Sequence, residues 1–245
     1  MARLKNQKII SGLIGNLVFR NLNGRQVVQS HPGKIKQNEA TKTSATEFGQ
    51  SSTWAKQLRL GLEPFLVHLS DTTMYQRFTA RLYAALLANT TLPKNGRTPL
   101  NANMTSMEGF EFNHHAPFAT HFLPTISATM DAQRRVTVTV PTLQPLVDVL
   151  YPEGCSQAEM LVYLYATNLM PNAAIADGYF TVALPKQPVT LTQTVWTSPE
   201  LPEDYFVMVC AKLLYYETNP FTGRTYLNST VLNPSAVVLA MATGN

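Results

Sequence analysis

Two seven-residue runs, Met160–Ala166 and Tyr205–Ala211, contain no charged residue and are apolar at almost every position. Because strand side chains alternate between the two faces of a sheet, such runs predict strands that are buried on both faces. They are far shorter than the roughly 20 apolar residues that a membrane-spanning helix needs. Arg135–Val140 alternates valine with threonine, which is typical of a strand with one buried face. The chain must therefore build a layered β structure.

Further strand patterns at short spacing extend this prediction over the second half of the chain. They cover residues 178–184, 189–195, 224–227 and 235–241, with a turn at residues 218–223. Strands punctuated by Pro and Gly predict a mainly β fold: an antiparallel β-sandwich of the Greek-key or immunoglobulin-like type. An N-terminal β-hairpin and two α-helices precede it.

The hairpin is predicted from Leu17–Arg20 and Arg25–Val28, which flank Asn23-Gly24. This dipeptide favours the two positive φ angles of a type I′ turn. Its strands carry apolar residues on both faces, and an isolated hairpin is marginal in water. The hairpin is therefore expected to dock on its own domain or on a neighbouring chain.

Two helices are predicted between the hairpin and the sandwich. Ser44–Glu47 has the spacing of a capping box, and apolar residues then recur at a helical period as far as Phe65. Ser70 or Asp71 is the predicted N-cap of the second helix. The Thr-, Asn- and Pro-rich stretch 89–103 predicts a boundary between a domain at 1–103 and a sandwich at 104–245, with one continuous domain as the alternative.

Charge is distributed unequally along the chain. Residues 1–60 hold ten Lys or Arg against two Asp or Glu, whereas residues 61–245 hold nine against thirteen. Charged residues make up only 14% of the chain, which is low for a soluble domain. The split predicts contacts between opposite ends of neighbouring copies, or an acidic partner such as nucleic acid.

The sequence contains no pattern of catalytic residues, and neither an enzymatic activity nor a cofactor is predicted. His114, His115 and His121 follow Glu108 and Glu111, but neighbouring histidines on a strand would point to opposite faces, so no metal site is predicted. Cys155 and Cys210 lie in apolar surroundings and are predicted to be buried and reduced. With no signal-peptide pattern and no membrane span, synthesis in the cytoplasm is expected. The expected final location is an assembled particle or filament, and release of that assembly from the cell is left open.

Glycine and apolar positions resemble those of a protein family. The matching segments are 12–19, 23–28, 32–36, 40–49 and Gly109–Asn113. They resemble an uncharacterised family of proteins of about this length from Bacteroidota-type bacteria. The resemblance implies a bacterial or bacteriophage source and one architecture along most of the chain. It supplies no activity and no catalytic residues.

These patterns predict a non-enzymatic structural protein that assembles with copies of itself into a filament, a tube or a shell, either a cellular polymer or a component of a phage virion. The predicted assembly interface consists of Leu17, Phe19, Arg20, Arg25, Val27, Val28, Lys34 and Lys36. The alternative is a nucleic-acid-associated protein that uses the basic N-terminal region.

Overall fold

A computed structural model describes residues 3–5, 9–22, 25–31, 38–170, 173 and 175–244. The described part of the chain is mainly β, with twelve strands and four α-helices, and all of its strand pairs are antiparallel. The strands are β1 (Arg3–Lys5), β2 (Ile9–Ile14), β3 (Leu17–Leu22), β4 (Arg25–Ser30), β5 (Ser127–Met130), β6 (Val136–Val140), β7 (Gln157–Thr167), β8 (Ile175–Pro185), β9 (Thr194–Thr197), β10 (Phe206–Asn219), β11 (Gly223–Tyr226) and β12 (Ser235–Ala242). The helices are α1 (Glu39–Leu66), α2 (Met74–Ala88), α3 (Phe118–His121) and α4 (Pro145–Asp148).

The chain divides into two compact units, residues 1–42 and residues 43–245. In the first unit, the described residues form one antiparallel sheet in the order β1-β2-β3-β4, called here the N-terminal sheet. Leu22 pairs with Arg25, so the predicted strands of the hairpin are confirmed. The predicted turn residues Asn23 and Gly24 lie outside the described residues. Strands β1 and β2, which the sequence patterns did not predict, extend the hairpin.

The second unit contains two sheets within the described residues. The larger has five strands in the order β11-β10-β7-β8, with β12 also pairing with β10. The smaller has the order β5-β6-β9. The two runs predicted to be buried on both faces lie in β7 and β10, side by side at the centre of the larger sheet. That prediction is confirmed.

Both faces of the five-stranded sheet are covered by the chain itself. On one face Val162 and Val209 share a core with Val138 of the smaller sheet. On the other face Tyr165 and Met208 share a second core with the helices, and the helical residues of that core include Ala55, Leu58, Leu62, Phe65, Phe78, Leu82 and Leu86. The helices therefore form a third layer on the sheet.

The predicted division at 103/104 does not coincide with the division after Lys42. Leu62 and Phe78 on the helices pack in one core with Cys210 and Ala240 on the strands. The apolar helix faces need the sheet to be buried, which places the helices and the strands in the same unit. The stretch 89–103 is therefore a loop inside that unit.

Helix α1 begins earlier than predicted. Its N-cap is Asn38, whose Oδ1 accepts a hydrogen bond from the backbone N–H of Thr41 at 2.8 Å. The Ser44–Glu47 pattern lies inside the helix, and the prediction that it starts the helix is wrong. Glu47 instead accepts the N–H of Asn95 at 3.0 Å, because it is buried against the 89–103 loop.

The two edges of the five-stranded sheet differ. Gly109–Phe112 runs along the outer side of β12, with the N–H groups of Gly109 and Phe112 donating to Val237 and Ser235 at 2.8 and 2.9 Å. On the opposite edge, backbone pairing among the described residues joins β8 to β7 alone. One end of that edge is partly used, since the Tyr151 hydroxyl donates to the carbonyl of Leu184 at 3.1 Å. The chain covers one edge and leaves most of the other open.

Candidate assembly interface

The N-terminal sheet presents two chemically different faces, because Phe19 pairs with Gly12 and Val28 while Arg20 pairs with Val27. The uncharged face, as defined here, consists of Ile10, Gly12, Ile14, Leu17, Phe19, Asn21, Gln26, Val28 and Ser30. The basic face consists of Ser11, Leu13, Val18, Arg20, Leu22, Arg25, Val27 and Gln29. The pairing register alone determines this separation.

The residues predicted to form one interface divide between these two faces. Leu17, Phe19 and Val28 lie on the uncharged face, whereas Arg20, Arg25 and Val27 lie on the basic face. Lys34 and Lys36 lie outside the described residues. One partner surface that covers a face of the sheet contacts only one of the two sets, so the structure separates a single predicted interface into two.

The uncharged face is apolar and partly open to solvent. The exposed fractions of Ile14, Leu17 and Val28 are 51%, 46% and 49%. Fully burying one such side chain contributes roughly 1.5–3 kcal/mol, so about half of that remains to be gained at each position. Covering this face would therefore stabilise a complex without removing a charge from water.

The basic face carries Arg20 and Arg25, both exposed. The first 38 residues of the chain contain seven Lys or Arg and no Asp or Glu, and the first acidic residue is Glu39. Any partner that covered this face would have to desolvate or neutralise the guanidinium groups. The basic face therefore suits an acidic partner better than an apolar one.

A second group of polar residues lies where α2 begins. The buried carboxylate of Asp71 accepts hydrogen bonds from Thr73, forms an ion pair with Arg77 and lies 2.9 Å from Nδ1 of His114. Burial alone would raise the pKa of Asp71, but the hydrogen bonds from Thr73, His114 and Arg77 hold it well below its usual range. Arg77 also donates to the carbonyl of Glu111 at 2.8 Å. Asp71 therefore connects the start of α2 to the segment around residues 111–114.

The ring centroids of His114 and His115 lie 4.0 Å apart, with the ring planes tilted by 36°. Both residues lie exposed in a bend and not in a strand, so the alternation of strand side chains does not apply to them. Among the described residues no three His, Cys, Asp or Glu side chains come together as metal ligands. The sequence predicted Ser70 or Asp71 as the N-cap of α2, which is wrong, because the helix begins at Met74 and its N-cap is Thr73. The contact of Asp71 with His114 was not predicted, since the two residues are distant along the chain.

Four further ionisable side chains of the second unit are buried or partly buried. Burial raises the pKa of Glu111, whose carboxylate accepts the N–H of Phe118 at 2.7 Å at the start of α3. Burial lowers the pKa of Lys212 to about 8, and its Nζ donates to the carbonyl of Phe65 at 3.1 Å. Cys155 and Cys210 are buried free thiols, as predicted, and burial raises the pKa of Cys210. A thiol with a raised pKa is a poor nucleophile at neutral pH.

Within the described residues, none of the helices combines the length and the apolar character needed to cross a bilayer. Comparison with protein-family models, with curated proteins and with solved structures finds no match for this chain. The predicted resemblance to a Bacteroidota-type family stays a prediction.

Proposed function

We propose that this chain is a non-enzymatic structural protein that assembles with copies of itself into a filament, a tube or a shell, in a cell or in a phage particle. The uncharged face of the N-terminal sheet supports this proposal. It groups Ile14, Leu17, Phe19 and Val28 on one side of a separate compact unit.

The uncharged face suits a contact between copies for an energetic reason. Leu17, Phe19 and Val28 can be buried without taking a charge out of water, and polar positions on the same face can bond at its margin. The core of a permanent interface between identical subunits has the same composition, apolar at its centre and depleted of charge. Assembly therefore uses the uncharged face.

The experiment compares identical changes on the two faces. The double variant Leu17→Ser/Val28→Ser removes two apolar side chains from the uncharged face, and Leu22→Ser/Val27→Ser removes two from the basic face. We expect the first to abolish the assemblies larger than a dimer that light scattering detects for the native chain. The second leaves them in place, since its positions lie on the opposite side of the same strands.

The midpoint of thermal unfolding of the second unit serves as the folding control for both variants. Assemblies larger than a dimer that persist in Leu17→Ser/Val28→Ser, or that are lost equally in both variants, would contradict a role for the uncharged face. A native chain that stays a 27.2 kDa monomer across salt, pH and concentration would contradict self-assembly itself.

A nucleic-acid partner is the second candidate, and it rests on the basic face. Arg20 and Arg25 lie on the same face within a stretch of 38 residues that has no acidic group. Binding to duplex DNA would weaken with salt at a slope of about −0.9 per neutralised phosphate. Submicromolar affinity at physiological salt that falls in Arg20→Gln/Arg25→Gln would favour this candidate over self-assembly.

We also propose that the five-stranded and three-stranded sheets form an antiparallel sandwich, since Val138 and Val209 share one core. The Greek-key or immunoglobulin-like connectivity expected from the sequence stays a prediction.

A further inference from the structure

The open edge of β8 differs from the usual edges of natural sheets. It consists of residues 175–183, which pair in continuous register with β7 on one side only. Natural edge strands are made short, bulged, or interrupted by Lys or Pro, because unpaired N–H and C=O groups recruit other strands. The open edge contains no Lys, no Pro and no bulge. Its one charged residue is Asp177, whose carboxylate accepts a hydrogen bond from the hydroxyl of Tyr163 at 3.1 Å.

The side chains that flank the open edge are also unusual for a solvated strand. Tyr179 is 70% exposed and Ile175 is 54% exposed, and both lie on the face of the sheet that the helices cover farther inward. A groove of about 300 Å³, lined by Pro64, Leu161 and Tyr163, opens beside Tyr179. The strand thus combines free backbone groups with apolar surface that is free to pack.

The opposite edge of the same sheet, formed by β12, is covered by another segment of the chain itself. Gly109–Phe112 bonds along β12 through three backbone hydrogen bonds of 2.8 to 3.0 Å. No described segment does the same for residues 175–183. Within the described part of the chain, a covering segment is present for one edge alone.

We propose that the open edge of β8 pairs antiparallel with the open edge of β8 in a second copy, around a two-fold axis that passes beside Tyr179. The five-stranded sheet then continues from one subunit into the other. This contact is separate from the uncharged face of the N-terminal sheet and does not depend on it.

The strand is complementary to itself in this arrangement. With the axis at Tyr179, the two Tyr179 side chains lie opposite each other, Asp177 lies opposite Thr181, and Ile175 lies opposite Ala183. No pair places like charges together, and a cross-strand pair of aromatic residues stabilises an antiparallel sheet. The groove beside Tyr179 gives the two rings room to pack.

Two interfaces on one chain also explain how an extended assembly could form. A two-fold contact closes at a dimer, whereas a chain with two different self-contacts can continue into an open polymer. The β8 contact makes a dimer, and the N-terminal sheet would then link dimers.

The test uses the full chain with Leu17→Ser/Val28→Ser as the background, in which β8 is the remaining proposed contact. We expect a dimer of the 27.2 kDa chain by light scattering. Tyr179→Lys and Tyr179→Glu each place like charges opposite one another and should raise the dimer dissociation constant at least about tenfold. An equimolar mixture of the two variants should restore the dimer, because Lys then lies opposite Glu.

Phe221→Lys is the matched control, since it adds the same charge at an exposed aromatic residue in the turn between β10 and β11. It should leave the dimer unchanged, and Tyr179→Phe should do so as well. A monomeric background, a dimer that resists both charged variants, or a mixture that fails to re-form the dimer would each overturn the proposal. The last of these results would favour a strand other than β8 as the occupant of the edge. The N-terminal contact enters this experiment only through the background variant. If the N-terminal sheet makes no contact between copies, the Tyr179 variants still test the β8 contact.

Discussion

The N-terminal sheet and the five-stranded sheet are both antiparallel and both rich in Val, Leu and Ile. In the five-stranded sheet Val162, Leu164, Val207 and Val209 are almost fully buried, and the opposite sides of the same strands are buried as well. In the N-terminal sheet Leu17 and Val28 remain about half exposed.

The two sheets therefore differ in how much of their apolar surface the chain itself buries, although the residue types in their strands are similar. The five-stranded sheet receives two helices on one face and three strands on the other, from the same chain. The described residues within 1–42 form little beyond strands, so they offer few side chains from outside the sheet to cover it. A strand that its own chain buries contributes to folding, and one that stays half exposed is available to a partner.

The sharpest test of this comparison truncates one leucine in each region. Leu62→Ala removes a fully buried side chain from the core between α1 and the five-stranded sheet, and should lower the free energy of unfolding by about 2–5 kcal/mol. Leu17→Ala, at a half-exposed position, should change it by less than about 1 kcal/mol while weakening assembly. Denaturant unfolding and light scattering measure the two effects. Equal losses of stability would mean that the N-terminal sheet is also part of the folding core.

A second test concerns the buried charge of the five-stranded sheet. Burial lowers the pKa of Lys212 to about 8 from an ordinary value of 10.5, so the unfolded chain binds more protons between these two pH values. Stability should therefore rise with pH through this window, and the full penalty should apply below pH 8. Lys212→Met should stabilise the protein by about 1–3 kcal/mol at pH 7 and should remove this pH dependence.

Lys56→Met serves as the control for this test, since Lys56 is exposed on α1. It should alter neither the stability nor its dependence on pH. A Lys212→Met variant that is less stable than the native chain at pH 7 would show that the hydrogen bond to Phe65 outweighs the cost of burying the charge.

The last test compares two glycines of α1, one packed against the sheet and one at an open position. A Cβ added at Gly61 would lie 2.0 Å from the ring of the buried Tyr165, whereas one added at Gly49 would meet nothing within 4 Å. Gly61→Ala should destabilise by about 1–3 kcal/mol through overpacking. Gly49→Ala should stabilise by up to about 1 kcal/mol through helix propensity. Thermal unfolding of the two variants should therefore shift in opposite directions.

Local patterns predicted most of the strands. The apolar runs at Met160–Ala166 and Tyr205–Ala211 identified the centre of the larger sheet, because burial on both faces leaves a continuous apolar sequence. The start of α1 was predicted wrongly. Asn38 and Ser44 are both good N-caps, and the sequence between them has no periodicity strong enough to choose.

Features that depend on distant contacts were not predicted. Gly109–Phe112 shows one short alternation, Phe-Glu-Phe, which does not identify the strand beside which it lies. Its place beside β12 follows from the backbone groups that β12 offers. Asp71 meets His114 only because α2 lies against that segment. Strand alternation by itself places the neighbouring residues Phe19 and Arg20 on opposite faces. The predicted interface nevertheless contained both residues, because it was chosen by charge and hydrophobicity alone.

The place of β12 in the sheet has a consequence for how the protein is made. Helices α1 and α2 leave the ribosome well before β12, but the core that buries them includes Val237 and Ala240 of β12. The backbone of Gly109–Phe112 likewise has no partner until the same strand has been synthesised. We expect the second unit to complete its folding only after β12 has left the ribosome, with apolar helix faces uncovered on the nascent chain and open to chaperones until then.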